Sequence, residues 1–135
     1  MQPKMFRDEE HERFYYESLR RANCTDAYHR AVFYVLGISW ETRSHANELF
    51  DYSNDSIKPT GLSAAWQTSS TIRTSRLAFN LWNGWTEDGK ERYSTPHELF
   101  DCSYGSYFFE AIRLRYPEYC REHERTTRSI ENRTR

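Results

Sequence analysis

The side chains best suited to chemistry crowd into one acid-free stretch. Residues 56–86 contain no Asp or Glu, yet they carry Lys58, Arg73 and Arg76, three of the four tryptophans, and hydroxyls at Thr68, Ser69, Ser70, Thr71, Thr74 and Ser75. A helix N-terminus presents unpaired backbone N–H groups and the positive end of the helix dipole, so hydroxyls and guanidinium groups beside one build an anion or phosphate site. Trp66 or Trp85, if exposed, adds a face on which a base stacks. Lys58, Thr71, Arg73, Arg76, Trp66 and Trp85 are therefore the candidate anion- or nucleic-acid-binding residues. The same residues also serve plain structural ends: Thr and Ser cap helix starts, and Arg76 can reach an acidic partner within the fold. Three cations are a weak electrostatic footprint on a chain whose formal net charge is -1.

Elsewhere the reactive groups lack the spacing that chemistry requires. Glu48 with Asp51, and Glu98 with Asp101, offer carboxylate pairs for acid–base or metal work, but such pairs more often cap helices or meet Arg30 and Arg76. His11, His29, His45, His97 and His123 form no His-x-x-x-His pair, and each alone reads as a surface or satisfied histidine. Cys24, Cys102 and Cys120 are odd in number and lack metal-type spacing, which argues against a disulfide scaffold and a zinc site. A helix start separates Cys102 from His97, so no nucleophile–base pair is expected there. No Walker loop or dinucleotide fingerprint is present. Catalytic residue, metal ligand and cofactor are all assigned as none.

The elements that must position these groups read as helices. Asp8 caps a first helix with Glu9 and Glu10 in its opening turn and Tyr15, Leu19 and Ala22 on one stripe, ending near Asn23. Thr25 or Asp26 caps a second, central helix carrying Tyr28, Ala31, Val32, Val35 and Leu36, with Gly37 placed to end it in the left-handed region. Ser39 caps a third helix through Trp40, Ala46, Leu49 and Phe50, and residues 51–55 form its polar exit. A Pro59-Thr60-Gly61 turn, a short helical turn near Leu62 and Trp66, and a hydroxyl-capped helix through Ile72, Phe79 and Trp82 follow, closed by Gly84. Thr95-Pro96-His97-Glu98 reads as a capping box, and Ser106 as the cap of a last helix that Pro117 stops. With Val scarce and no period-two alternation, the fold class is all-α.

Glu48-Leu49-Phe50-Asp51 returns as Glu98-Leu99-Phe100-Asp101, fifty residues on. Arg30-x-x-Phe33 and Arg76-x-x-Phe79 precede the two copies, each followed by a glycine. The expectation is a single helical domain over residues 5–120, with repeat units at about 25–66 and 71–116, and a charged, flexible tail over 121–135. Ten Tyr, eight Phe and four Trp supply its buried area.

Lys58-Pro59-Thr60-Gly61-Leu62, Trp66-Gln67-Thr68, the run from Arg76 to Gly84, Tyr107-Phe108-Phe109-Glu110-Ala111-Ile112 and Arg115-Tyr116-Pro117-Glu118-Tyr119-Cys120 carry a resemblance. Over residues 5–120 the chain resembles a family of short uncharacterised proteins, a domain of unknown function found in Firmicutes genomes and their mobile elements. The resemblance implies a bacterial, phage or integrative-element setting and the cytoplasm, and brings no activity, cofactor or catalytic residue. No signal peptide or membrane span is read from the sequence. The expected function is a non-enzymatic protein-interaction module, of the accessory or anti-defence inhibitor kind, whose partner is a host- or element-encoded protein. The alternative is a nucleic-acid or phosphate-ligand binder using residues 56–86.

Overall fold

A computed structural model describes residues 1–120. Helices α1 (Glu9–Ala22), α2 (Ala27–Leu36) and α3 (Trp40–Ser44) lead into a two-stranded antiparallel ribbon, β1 (Phe50–Asp51) with β2 (Ser56–Ile57). Helices α4 (Ser69–Asn83), α5 (Pro96–Leu99) and α6 (Gly105–Arg115) complete the fold, which is all-α apart from that ribbon. The tail of residues 121–135, read from sequence as flexible, lies outside the described residues.

Helix α2 is the hub, packed by α1, α4 and α6. Every residue from position 31 to 39 is buried, so the carbonyls at the end of α2, left without partners by the helix, and those of Gly37 and Ile38 just beyond it cannot turn to water. Side chains from three segments serve instead. His11 donates from Nε2 to Tyr34 O at 2.7 Å, Thr42 Oγ1 to Leu36 O at 2.7 Å, Arg43 to Gly37 O at 2.8 Å, and Arg7 to Ile38 O at 2.9 Å. The Arg7 amide donates to His11 Nδ1 at 3.0 Å, which places the ring's single proton on Nε2.

His11 is therefore held neutral, and burial, the largest cause, pushes its pKa from 6.5 down to about 4 despite the raising effect of the Tyr34 carbonyl. The folded state binds fewer protons than the unfolded chain between those values. Its contribution is complete above pH 6.5 and is lost as pH falls toward 4, a swing on the order of 3 kcal/mol. Urea unfolding should show stability dropping from pH 7 to pH 5, above the carboxylate range; a His11→Gln variant should lose most of that slope.

Gly37 departs from expectation. Its φ of -81° is right-handed, so handedness does not select it. A Cβ there would lie 2.7 Å from His11 Cδ2 and 2.9 Å from Phe14 Cδ1; the glycine admits the side chains of α1 against the end of α2. The left-handed stops are Asn23 (φ 55°) and Gly84 (φ 79°).

The third helix also differs, ending at Ser44 rather than running through Phe50. The Ser44 hydroxyl donates to Trp40 O, and Glu41 O meets the His45 ring as well as accepting the His45 amide, so side chains satisfy the carbonyls where the helix stops. After a 3-10 turn over Ala46–Glu48, Phe50 pairs with Ile57 and Asp51 with Ser56. Asp51 Oδ1 accepts from the Ser53 and Asn54 amides. Hydrogen bonds from the Ser53 and Asn54 side chains, the largest causes, hold its carboxyl at about 2. This turn chemistry outcompetes the helix. Glu48-Leu49-Phe50-Asp51 thus passes from a 3-10 turn into a strand, whereas Glu98 and Leu99 close α5.

Two expected caps are replaced. Thr95 makes no capping bond to α5 and donates instead to Arg92 O at 2.8 Å. Helix α6 begins at Gly105, before Ser106, without a side-chain cap. The segment around Pro59 and Gly61 is a 3-10 helix, Pro59–Ser63, rather than an open turn.

Candidate functional site

The six candidates from the acid-free stretch each have work inside the fold. Lys58 Nζ donates to Asn47 O at 2.8 Å. Trp66 stacks on His45 with centroids 4.3 Å apart and donates to Glu48 Oε1 at 3.2 Å. Thr71 is buried and closes the α4 capping box with Thr68. Arg73 donates to Glu98 O at 2.9 Å and Ser69 O at 3.0 Å, with Asp101 3.8 Å away. Arg76 pairs with Glu87 at 2.9 Å and lies over the Tyr93 ring; that bond, the largest cause, lowers the Glu87 pKa. Trp85 packs edge-on against Phe79 at 5.3 Å. The six thus engage different neighbours, and the three cations are bound to carbonyls or carboxylates of the same chain.

A polar corner invisible to motif reading forms where α1 meets α2. Asn23 turns left-handed and the Cys24 amide returns to Leu19 O at 3.3 Å, which swings Cys24 beside the start of α2. Asp26 caps that helix with Oδ1, accepting from the Tyr28 and His29 amides at 3.0 and 3.1 Å. Its Oδ2 lies 2.7 Å from His29 Nδ1, and Asp55 Oδ1 lies 2.6 Å from His29 Nε2. The ring is buried, edge-on to Trp82 at 4.9 Å, with Phe33 and Phe50 nearby. Desolvation works against the Asp26 carboxylate, but its hydrogen bonds from the His29 amide and ring prevail and lower its pKa. Desolvation, then Asp26 and Asp55, push the Cys24 thiol up. Cys24 also lines a cavity of about 520 Å³ with Tyr15, Tyr16, Arg20 and Arg30.

The sequence held part of this signal as Cys24-x-Asp26-x-x-His29 at a helix start. Asp55 comes from the ribbon turn, where its φ of 53° is left-handed, and no local pattern links it to His29.

A second surface lies between α1 and α3. Trp40 is 65% exposed, and with Phe14, Glu10, Glu17, Arg13 and Arg43 it lines a groove of about 500 Å³. Hydroxyl capping by Ser39 fixes the first turn of α3 and so the direction of Trp40.

Fold and surfaces together define a single all-α domain with a buried imidazole between two exposed carboxylates and an exposed aromatic groove. The chain belongs to a family of unknown function (DUF6075), whose model matches residues 1–128. No curated protein and no solved structure was found to match it. Among the described residues, no helix is long and apolar enough to cross a membrane.

Proposed function

We propose that the chain is a non-enzymatic protein-interaction module, acting through the groove between α1 and α3. The observation that carries this reading is Trp40, a large aromatic held in a fixed helical turn and left 65% exposed. Trp and Arg are the residue types that dominate binding hot spots, and here Trp40 and Phe14 lie among Glu10, Glu17, Arg13 and Arg43. A fitting partner is a protein segment with an apolar side chain flanked by charges of both signs. The resemblance to proteins of Firmicutes mobile elements supports a cytoplasmic accessory or anti-defence role, with a host- or element-encoded target.

The test is affinity capture of the tagged chain from a bacterial lysate, with and without nuclease, alongside Trp40→Ala. A stoichiometric protein should survive nuclease and bind the variant ~30-fold more weakly, about 2 kcal/mol. Equal capture by the variant removes the groove, and recovered nucleic acid that takes its proteins with it under nuclease favours the alternative reading. That alternative requires Lys58, Arg73 and Arg76 to leave carbonyl and carboxylate partners they already hold.

A further inference from the structure

We propose that Cys24, Asp26 and His29 bind one divalent cation of the zinc type, with Asp55 orienting the histidine from behind. A thiol sulfur, a carboxylate oxygen and an imidazole nitrogen from these residues lie within 4.8 Å of one another. Bonds of about 2.0 Å to nitrogen or oxygen and about 2.3 Å to sulfur require the 2.7 Å separation of Asp26 Oδ2 and His29 Nδ1 to open as the cation enters between them.

The hydrogen bonding divides the donors as a metal centre needs. Asp26 uses Oδ1 as the helix cap, at 3.0 and 3.1 Å from two amides, which fixes the carboxylate and leaves Oδ2 turned to the ring. Asp55 Oδ1 lies 2.6 Å from His29 Nε2 and accepts its N–H, so Nδ1 is the nitrogen a cation would take, in place of the hydrogen bond to Asp26 Oδ2. A carboxylate behind a ligating histidine is the outer-shell partner that sets tautomer and raises basicity. A carboxylate oxygen meets each nitrogen of the buried His29 ring, at 2.7 Å from Asp26 and 2.6 Å from Asp55. A bound cation would replace the Nδ1 hydrogen bond to Asp26 and the Cys24 thiol proton, both protons passing to solvent.

A thiolate with an imidazole selects zinc over magnesium or calcium, which prefer oxygen ligands alone. Three protein ligands leave a fourth position, and Cys24 places it beside the cavity shared with Tyr15 and Arg30. Water or a small anionic group fills that position. The site uses none of the residues of the Trp40 groove.

Cobalt(II) is the direct probe, because a thiolate ligand gives it an intense near-ultraviolet charge-transfer band. Reduced, metal-free protein titrated with Co²⁺ should develop that band at one equivalent, lose it when Zn²⁺ is added, and melt at a higher temperature with Zn²⁺ than without. Cys24→Ser should abolish the band, whereas Cys102→Ser with Cys120→Ser should retain it. Asp55→Asn should keep the band and weaken Co²⁺ binding 10- to 100-fold. A wild-type protein without the band, a band that persists in Cys24→Ser, or a melting temperature indifferent to Zn²⁺ overturns the site and leaves His29 as a hydrogen-bonded link between Asp26 and Asp55.

Discussion

Phe50→Ala should lower the unfolding free energy by ~3 to 5 kcal/mol in a denaturant titration. Phe50 is 1% exposed. Its ring meets Phe33, Tyr52 and Trp82, each with centroids 5.2 Å away and nearly perpendicular. Truncation removes the contact on which three aromatic edges converge, and it opens a void beneath the His29 ring. The counterpart Phe100→Ala should cost less, roughly 1 to 2 kcal/mol, because Phe100 is only half-buried and leans on Phe108 and on exposed Phe109. Equal losses at the two positions would contradict this difference in burial.

Gly61→Ala should rank beside it, at about 3 kcal/mol. A Cβ at Gly61 would lie 2.4 Å from Glu48 O and 2.7 Å from Leu49 Cδ2. The first of these is backbone and cannot rotate away. The 3-10 turn over Pro59–Ser63 must then lift from Glu48 and Leu49, breaking the Lys58 amide bond to Leu49 O at 2.8 Å. Gly105→Ala is the control: its nearest neighbour, Phe100 Cδ1, is at 3.4 Å, and the position lies in the first turn of α6. Alanine there should be neutral or stabilising by up to ~1 kcal/mol. Similar melting of the two variants would show that the backbone approach at Gly61 is looser than its geometry.

Local signals carried the helices. Asp8, Ser39 and Thr68 cap α1, α3 and α4 as their hydroxyl or carboxylate chemistry requires, and Gly84 ends α4 left-handed. What failed was inference from a matching string to a matching shape. Leu49 and Phe50 share their neighbours' identities with Leu99 and Phe100, yet Asp51 begins a turn rich in Ser, Asn and Asp, whereas Pro96 pre-sets the first turn of a helix. The polar corner escaped for another reason. Cys24, Asp26 and His29 look individually ordinary, and their convergence depends on Asn23 turning left-handed and on Asp55 arriving from the ribbon. In the acid-free stretch, the cations are matched by carbonyls at chain turns and by Glu87, partners that a count of charges does not reveal.

The bonds that fasten the leading residues have a bearing on how the protein is made. Lys4 donates its amide to Glu110 at 2.6 Å, Arg113 reaches Gln2 O at 3.0 Å, and Tyr34 reaches Met5 O at 2.9 Å. The ribosome delivers residues 2–5 more than a hundred positions before Glu110 and Arg113, and α2 lacks the face that α6 covers until then. At about 5 to 20 residues per second, roughly 5 to 20 seconds separate the synthesis of residues 2–5 from that of their partners on α6. The fastening of the leading residues thus waits for α6 to be made, however quickly the helices themselves form.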